Sequence, residues 1–278
     1  MERADWERRA AAHAARVDAL VAPHLARRAG GVAHPVHDFL FTYYSQRPAQ
    51  LRRWHPGWGT RLLDAAAHDQ LKGYADGAVT VAHAASQRPL VESLHRLLSA
   101  TASRPAHLGC FGMHEWAMVY RLGADETRHA AWPLRLGSAG TDAVVESHRI
   151  ACSHFDAYRF FTPPARGLNT LDPTATDRVE HEQPGCLHAG MDLYKHAFRL
   201  TPMIASELVA DCFELARDIR LLDMRAAPYD LTSLGVEPVP VETAAGKAEY
   251  ARAQRGFAER GATLRARLVE GCERLLTV

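Results

Sequence analysis

Lysine is nearly missing from this chain. Only Lys72, Lys195 and Lys247 occur in 278 residues, and arginine supplies the remaining basic charge. The bias reads as a matter of genome composition, although a guanidinium also makes the better bidentate contact with phosphate or carboxylate. Excess charge of either sign is missing as well. With 33 basic and 32 acidic residues the net charge is +1, which excludes the global positive field that marks many nucleic-acid binders and leaves only a local patch open. No apolar run reaches the length of about 18 residues that crossing a bilayer requires. The opening segment MERADWERRAAAHAARVDAL is charged throughout and has no apolar signal core. No membrane partner and a cytoplasmic location are therefore expected. The five cysteines are odd in number and scattered, which argues for reduced thiols rather than a disulfide framework. Also absent are a glycine-rich dinucleotide fingerprint, a GxxxxGK[ST] phosphate loop, a GxSxG elbow and the kinase motifs, so no nucleotide cofactor is expected.

What remains is enough for a folded protein. At 47% hydrophobic residues, 278 residues can bury a full core, and one domain over 1–278 is expected. Residues 2–29 carry Val17, Leu20, Val21 and Leu25 at helical spacing and stop at Gly30-Gly31. A second helix follows His34-Pro35 and breaks near Pro48, and GYADGAVTV reads as a weak hairpin or irregular connection. RPLVESLHRLLSATA spaces Leu90, Leu94, Leu97 and Leu98 along one stripe. Partly alternating β-branched and aromatic residues then predict a small antiparallel sheet over about 132–162. Helices resume at CLHAGMDLYKHAFRL, continue in ASELVADCFELARDIRLLDMRA with Ser206 as a cap, and end in a long helix from Gly246. The expected class is α+β, predominantly helical. Its parts are helical (1–105), mixed and site-bearing (106–200), and helical again (201–278).

The middle third concentrates the chemistry. Between residues 107 and 196 lie half of the sixteen histidines and three of the five cysteines. Three times a cysteine precedes a histidine with a carboxylate close after: Cys110/His114/Glu115, Cys152/His154/Asp156 and Cys186/His188/Asp192. Imidazoles and carboxylates brought to one point form the ligand set that suits non-haem iron, manganese or catalytic zinc, so His114, His154 and His188 are candidate ligands. No HExxH, CxxC pair or deaminase-type zinc motif supports this, and an ordinary core histidine is the competing reading. Asp192, Tyr194 and Lys195 in GMDLYKHA make a second constellation. A lysine three residues after an aspartate on a helix is either a nucleophile and base pair or a plain ion pair. Trp116, Tyr120, Trp132, Phe155, Tyr158, Phe160 and Phe161 form a third feature, able to stack on a flat ligand or to fill a core.

At HPVHDFLFTYYSQRPAQLRRWHPG, RPAHLGCFGMHEWAMVYR, CSHFDAYRFFTPP, EQPGCLHAGMDLYKHAFRL and RDIRLLDMRAAPYDL, over nearly the full length, the chain resembles an actinobacterial family known as 3-methyladenine DNA glycosylases. That resemblance implies DNA repair by hydrolysis of the glycosidic bond to an alkylated purine flipped out of damaged DNA. Asp192 or Asp156 would then activate water, with Glu115 a further candidate. Trp116, Tyr120, Tyr158 and Tyr194 would line the pocket, and Lys195 or Arg121 would contact phosphate or sugar. The alternative taken from the residues alone is a metal-dependent oxygenase or hydrolase acting on a small molecule. A binding or scaffold protein is a third class, supported only by the helical ends.

Overall fold

The computed structural model describes residues 1–123 and 132–278. It is 59% helical with one two-stranded antiparallel sheet, which places the chain in the predominantly helical α+β class. His129, one of the histidines counted above, lies outside the described residues. Among the described residues no helix is long and apolar enough to cross a membrane.

Contacts divide the chain into two compact, interleaved units. The first comprises residues 1–99, 191–217 and 262–278, the second residues 100–190 and 218–261.

The first unit starts with the helix Arg3–Ala29, which ends at Gly30 as its sequence requires. His13, Val17, Val21 and His24 recur at helical spacing and are its buried residues. Arg16 on the same helix reaches Asp211 and Glu214 of the helix Ser206–Arg225, at 2.8 and 2.9 Å. Glu207 accepts from both Trp54 Nε1 and Arg9 Nη2, at 3.0 and 2.7 Å. The segment after His34 forms two short helices, Phe39–Tyr43 and Pro48–Arg52, with proline opening the second. The strands Tyr74–Ala75 and Ala78–Val79 pair in the register Tyr74↔Val79 and Ala75↔Ala78. Their turn residues Asp76 and Gly77 both have positive φ, the conformation that a tight hairpin of this twist needs.

This hairpin holds the only strands among the described residues, so the sheet expected over 132–162 is corrected. The segment contains the helices Gly137–Glu146 and Phe155–Tyr158, together with two isolated bridges, Leu134 to Tyr229 and Ile150 to Asn169. Thr141, Val144 and Val145 carry the reason. They are three and four residues apart, which turns them to one side of a helix, and this periodicity outweighs their β-branched preference.

In the second unit, the helix Met113–Ala117 is buried at every position. Trp116 lies in the core and donates its indole N–H to the Ala226 carbonyl at 2.9 Å. Asn169 brackets Cys152, accepting its N–H at 2.7 Å and donating to its carbonyl at 3.0 Å.

A buried carboxylate ties down the loop after the first helix. Asp38 accepts from His24 at 2.8 Å, from Arg27, and from the backbone N–H of His34 at 2.8 Å. Burial opposes the charge on Asp38, but the Arg27 and His24 bonds outweigh it and hold the carboxyl below its ordinary value. Its stabilising contribution is therefore present above the unfolded carboxyl value of about 3.9 and fades as pH falls through the lower folded value. Asp38→Asn should cost about 1–3 kcal/mol at neutral pH. Urea unfolding should show that gap closing below about pH 4, and a gap of constant size across this range would contradict the assignment.

Candidate metal centre

Three chain segments of the second unit build the site. The first enters through Phe111 and Gly112, two successive residues at positive φ, 44° and 69°. Glycine takes that conformation readily, whereas phenylalanine does so at a cost of about 1–2 kcal/mol. The turn delivers His114 and Glu115 into the interior on the short helix that follows. The second segment is the start of the helix Leu187–Arg199, which carries His188. The third is the last part of the helix Ser206–Arg225, with Arg220 and Asp223 one turn apart.

His114, His188 and Asp223 each present one ligand atom, and these atoms all lie within 4.8 Å of one another. Bonds from a catalytic metal to imidazole nitrogen or carboxylate oxygen are about 2.0–2.2 Å long, so one ion bridges atoms up to about 4.4 Å apart. Small side-chain adjustments close the remaining gap. His114 Nε2 and Asp223 Oδ1 stand 2.9 Å apart as a buried imidazole–carboxylate pair.

Arg220 Nη1 donates to Glu115 Oε1 at 3.1 Å and to Asp223 Oδ2 at 2.8 Å, which fixes one carboxylate oxygen of Asp223 and leaves the other facing His114. Glu115 and Asp223 against Arg220 leave one negative charge, which a protonated His114 beside Asp223 balances. A buried carboxylate is costly without such compensation. Burial alone would raise the Asp223 carboxyl, but His114, Arg220 and His188 hold it well below the carboxylate range. Burial would lower His114, but attraction to Asp223 prevails and raises it above its ordinary value.

His154 stands beside the trio. Its ring lies 5.3 Å from that of His188, which in turn meets His114 edge-on at 4.5 Å, so the three histidines named from the sequence do converge. His154 Nε2, however, is 3.4 Å from Glu182 Oε1, and Glu182 is bound to Arg178. That places it in a separate imidazole–carboxylate–guanidinium row. The thiols of Cys110, Cys152 and Cys186 line the pocket at the trio, and Gln254 donates to Cys110 Sγ at 3.1 Å.

The remaining sequence candidates lie in other settings. Asp192 and Lys195 belong to the first unit, where they form an i, i+3 ion pair of 3.2 Å and Asp192 accepts from Tyr44 at 2.9 Å. Tyr194 is wholly buried there against Phe213. Glu115 is engaged by Arg220, and Asp156 lies 3.5 Å from Arg159. Trp116, expected as a pocket wall, is fully buried and donates its indole N–H to Ala226. Tyr120 and Arg121 both contact Glu146, at 2.7 and 3.0 Å, and Tyr158 donates to Asp172 at 2.8 Å.

Asp223, Arg220 and Glu182 were not singled out from the sequence. One signal did point to the first. Asp223 follows Ile219 by four residues and Leu215 by eight, so it falls on the apolar stripe of its helix, where an aspartate needs a reason.

No protein-family model, no curated protein and no solved structure matches the chain.

Arg220 compensates two carboxylates, so Arg220→Ala should destabilise the protein by about 3–5 kcal/mol in urea unfolding. Replacing all three charges together, with Arg220→Met, Glu115→Gln and Asp223→Asn, should recover most of that loss. A cost below about 1 kcal/mol for the single variant would show that the network carries no net charge burden.

Proposed function

We propose that the chain is a metal-dependent enzyme acting on a small molecule, with iron(II), manganese or zinc held by His114, His188 and Asp223. The observation that carries this reading is the convergence of His114, His188 and Asp223, whose ligand atoms all lie within 4.8 Å of one another in the interior. Two histidines with one carboxylate form the set used by non-haem iron enzymes and, with water as the fourth ligand, by catalytic zinc. A bound metal there would polarise an oxygen atom or lower the pKa of a water. The protein's own residues supply orientation. Arg220 holds Asp223 Oδ2 and so orients Oδ1 toward His114. Oxygenase and hydrolase chemistry both fit this frame. Five free cysteines agree with a reducing, cytoplasmic setting.

Base excision from DNA is supported by the resemblance to the glycosylase family and by little in the geometry. Asp192 is tied to Tyr44 and Lys195, and the aromatic residues that would grip a flipped base are buried or paired. A net charge of +1 adds no general attraction to the DNA backbone.

Protein purified without a histidine tag should contain about one equivalent of a single transition metal, or take one up, and the metal should raise its thermal stability. His114→Ala, His188→Ala and Asp223→Ala should each abolish binding. His154→Ala should keep the stoichiometry and weaken affinity by about 10–100-fold, as loss of a neighbouring support does. Asp192→Asn should bind like the parent. Substoichiometric content of every transition metal, or release of methylated base by chelator-treated protein that stops on Asp192→Asn, would overturn the proposal.

A further inference from the structure

The pocket that opens on His114 and His188 is narrow, with room for about one water-sized group, so it selects by size. It also selects by polarity. Met113, Ile150, Ala151 and Leu187 face it beside His114 and His188, with the uncharged Cys110, Cys152, Cys186 and Ser153. Gln183, also in its wall, spends its amide oxygen on the backbone N–H groups of His107 and Gly185, at 2.8 and 2.7 Å. Burial pushes the Cys152 thiol up to about 12, so it remains a neutral group of methyl-like size. None of these walls offers a charged group to an anionic or zwitterionic substrate, apart from the ligands themselves.

Resting on the metal reading above, we propose that this pocket is a chamber for a small uncharged diatomic gas, dioxygen being the member of that class that an iron(II) site would take. An apolar diatomic crosses and occupies a dry, uncharged cavity at little desolvation cost, whereas a carboxylate or phosphate must shed its water without replacement partners. Three protein ligands on an ion that accepts up to six leave positions open toward the chamber. An organic co-substrate, being larger, would approach from outside it.

The probe is nitric oxide, a diatomic of the same size, added anaerobically to the full chain loaded with iron(II). The wild-type protein should give the high-spin iron–nitrosyl EPR signal, and acetate in large excess should leave that signal unchanged. Ala151→Leu fills the chamber from a residue that is neither a ligand nor fully buried. It should retain iron and bind nitric oxide at least about tenfold more weakly. Leu187→Phe is a second filling variant, in case Ala151→Leu fails to fold. Iron retained without a nitrosyl signal, acetate competing with the gas, or unchanged affinity in filled variants that keep their iron would each overturn the chamber and leave the metal centre standing. Failure of the wild type to retain iron(II), manganese or zinc would instead remove the metal reading on which it rests.

Discussion

The second unit is organised around a fully buried carboxylate. Asp223 gives one oxygen to Arg220 and turns the other to His114 Nε2, 2.9 Å away. Burying an aspartate is unfavourable by several kcal/mol unless charge and hydrogen bonds compensate it. The surroundings can be understood as that compensation. Arg220 couples Asp223 to Glu115, and Glu115 neighbours His114 on a helix that a strained turn inserts into the interior. Glu115 consumes part of what Arg220 supplies, and the negative charge that remains faces two imidazoles, of which His114 is raised above its ordinary value by Asp223. In the proposed function a divalent cation would take the place of that proton.

The arrangement also separates two kinds of polar cluster. Around Asp38 every carboxylate oxygen has a conventional donor, and the effect is structural: a loop held to the end of a helix. The Tyr44–Asp192–Lys195 cluster is of the same kind, with each named bond in ordinary geometry. At the trio two imidazoles and a carboxylate crowd together, their ligand atoms within 4.8 Å of one another, and the proposed metal centre rests on that convergence.

Residue type and local spacing made much of this visible in the sequence, and the failures share one cause. The helices at 3–29, 88–102, 187–199, 206–225 and 244–276 follow from apolar periodicity and glycine stops. The three histidines stood out because imidazoles beside carboxylates are rare enough to notice. Asp223 did not, because it sits in a strongly helical run whose acidic and basic residues look like a solvated face, and only its coincidence with the Leu215–Ile219 stripe marks it as buried. Asp192 attracted attention through its proximity to His188 in sequence. On a helix, four residues carry the chain a full turn onward, and the two side chains end up with different partners. Over 132–162, β-branched composition competed with a three-and-four spacing, and the spacing prevailed. Tertiary partners decide each of these cases, and they are not contained in a local window.

Anomalous X-ray scattering at the absorption edge of the bound metal tests the central claim most directly. The account predicts a single peak about 2.0–2.2 Å from one nitrogen each of His114 and His188 and from Asp223 Oδ1, with Oδ2 still on Arg220. A peak ligated by the thiols of Cys110, Cys152 and Cys186, or no peak in crystals soaked with iron, manganese and zinc, would contradict it.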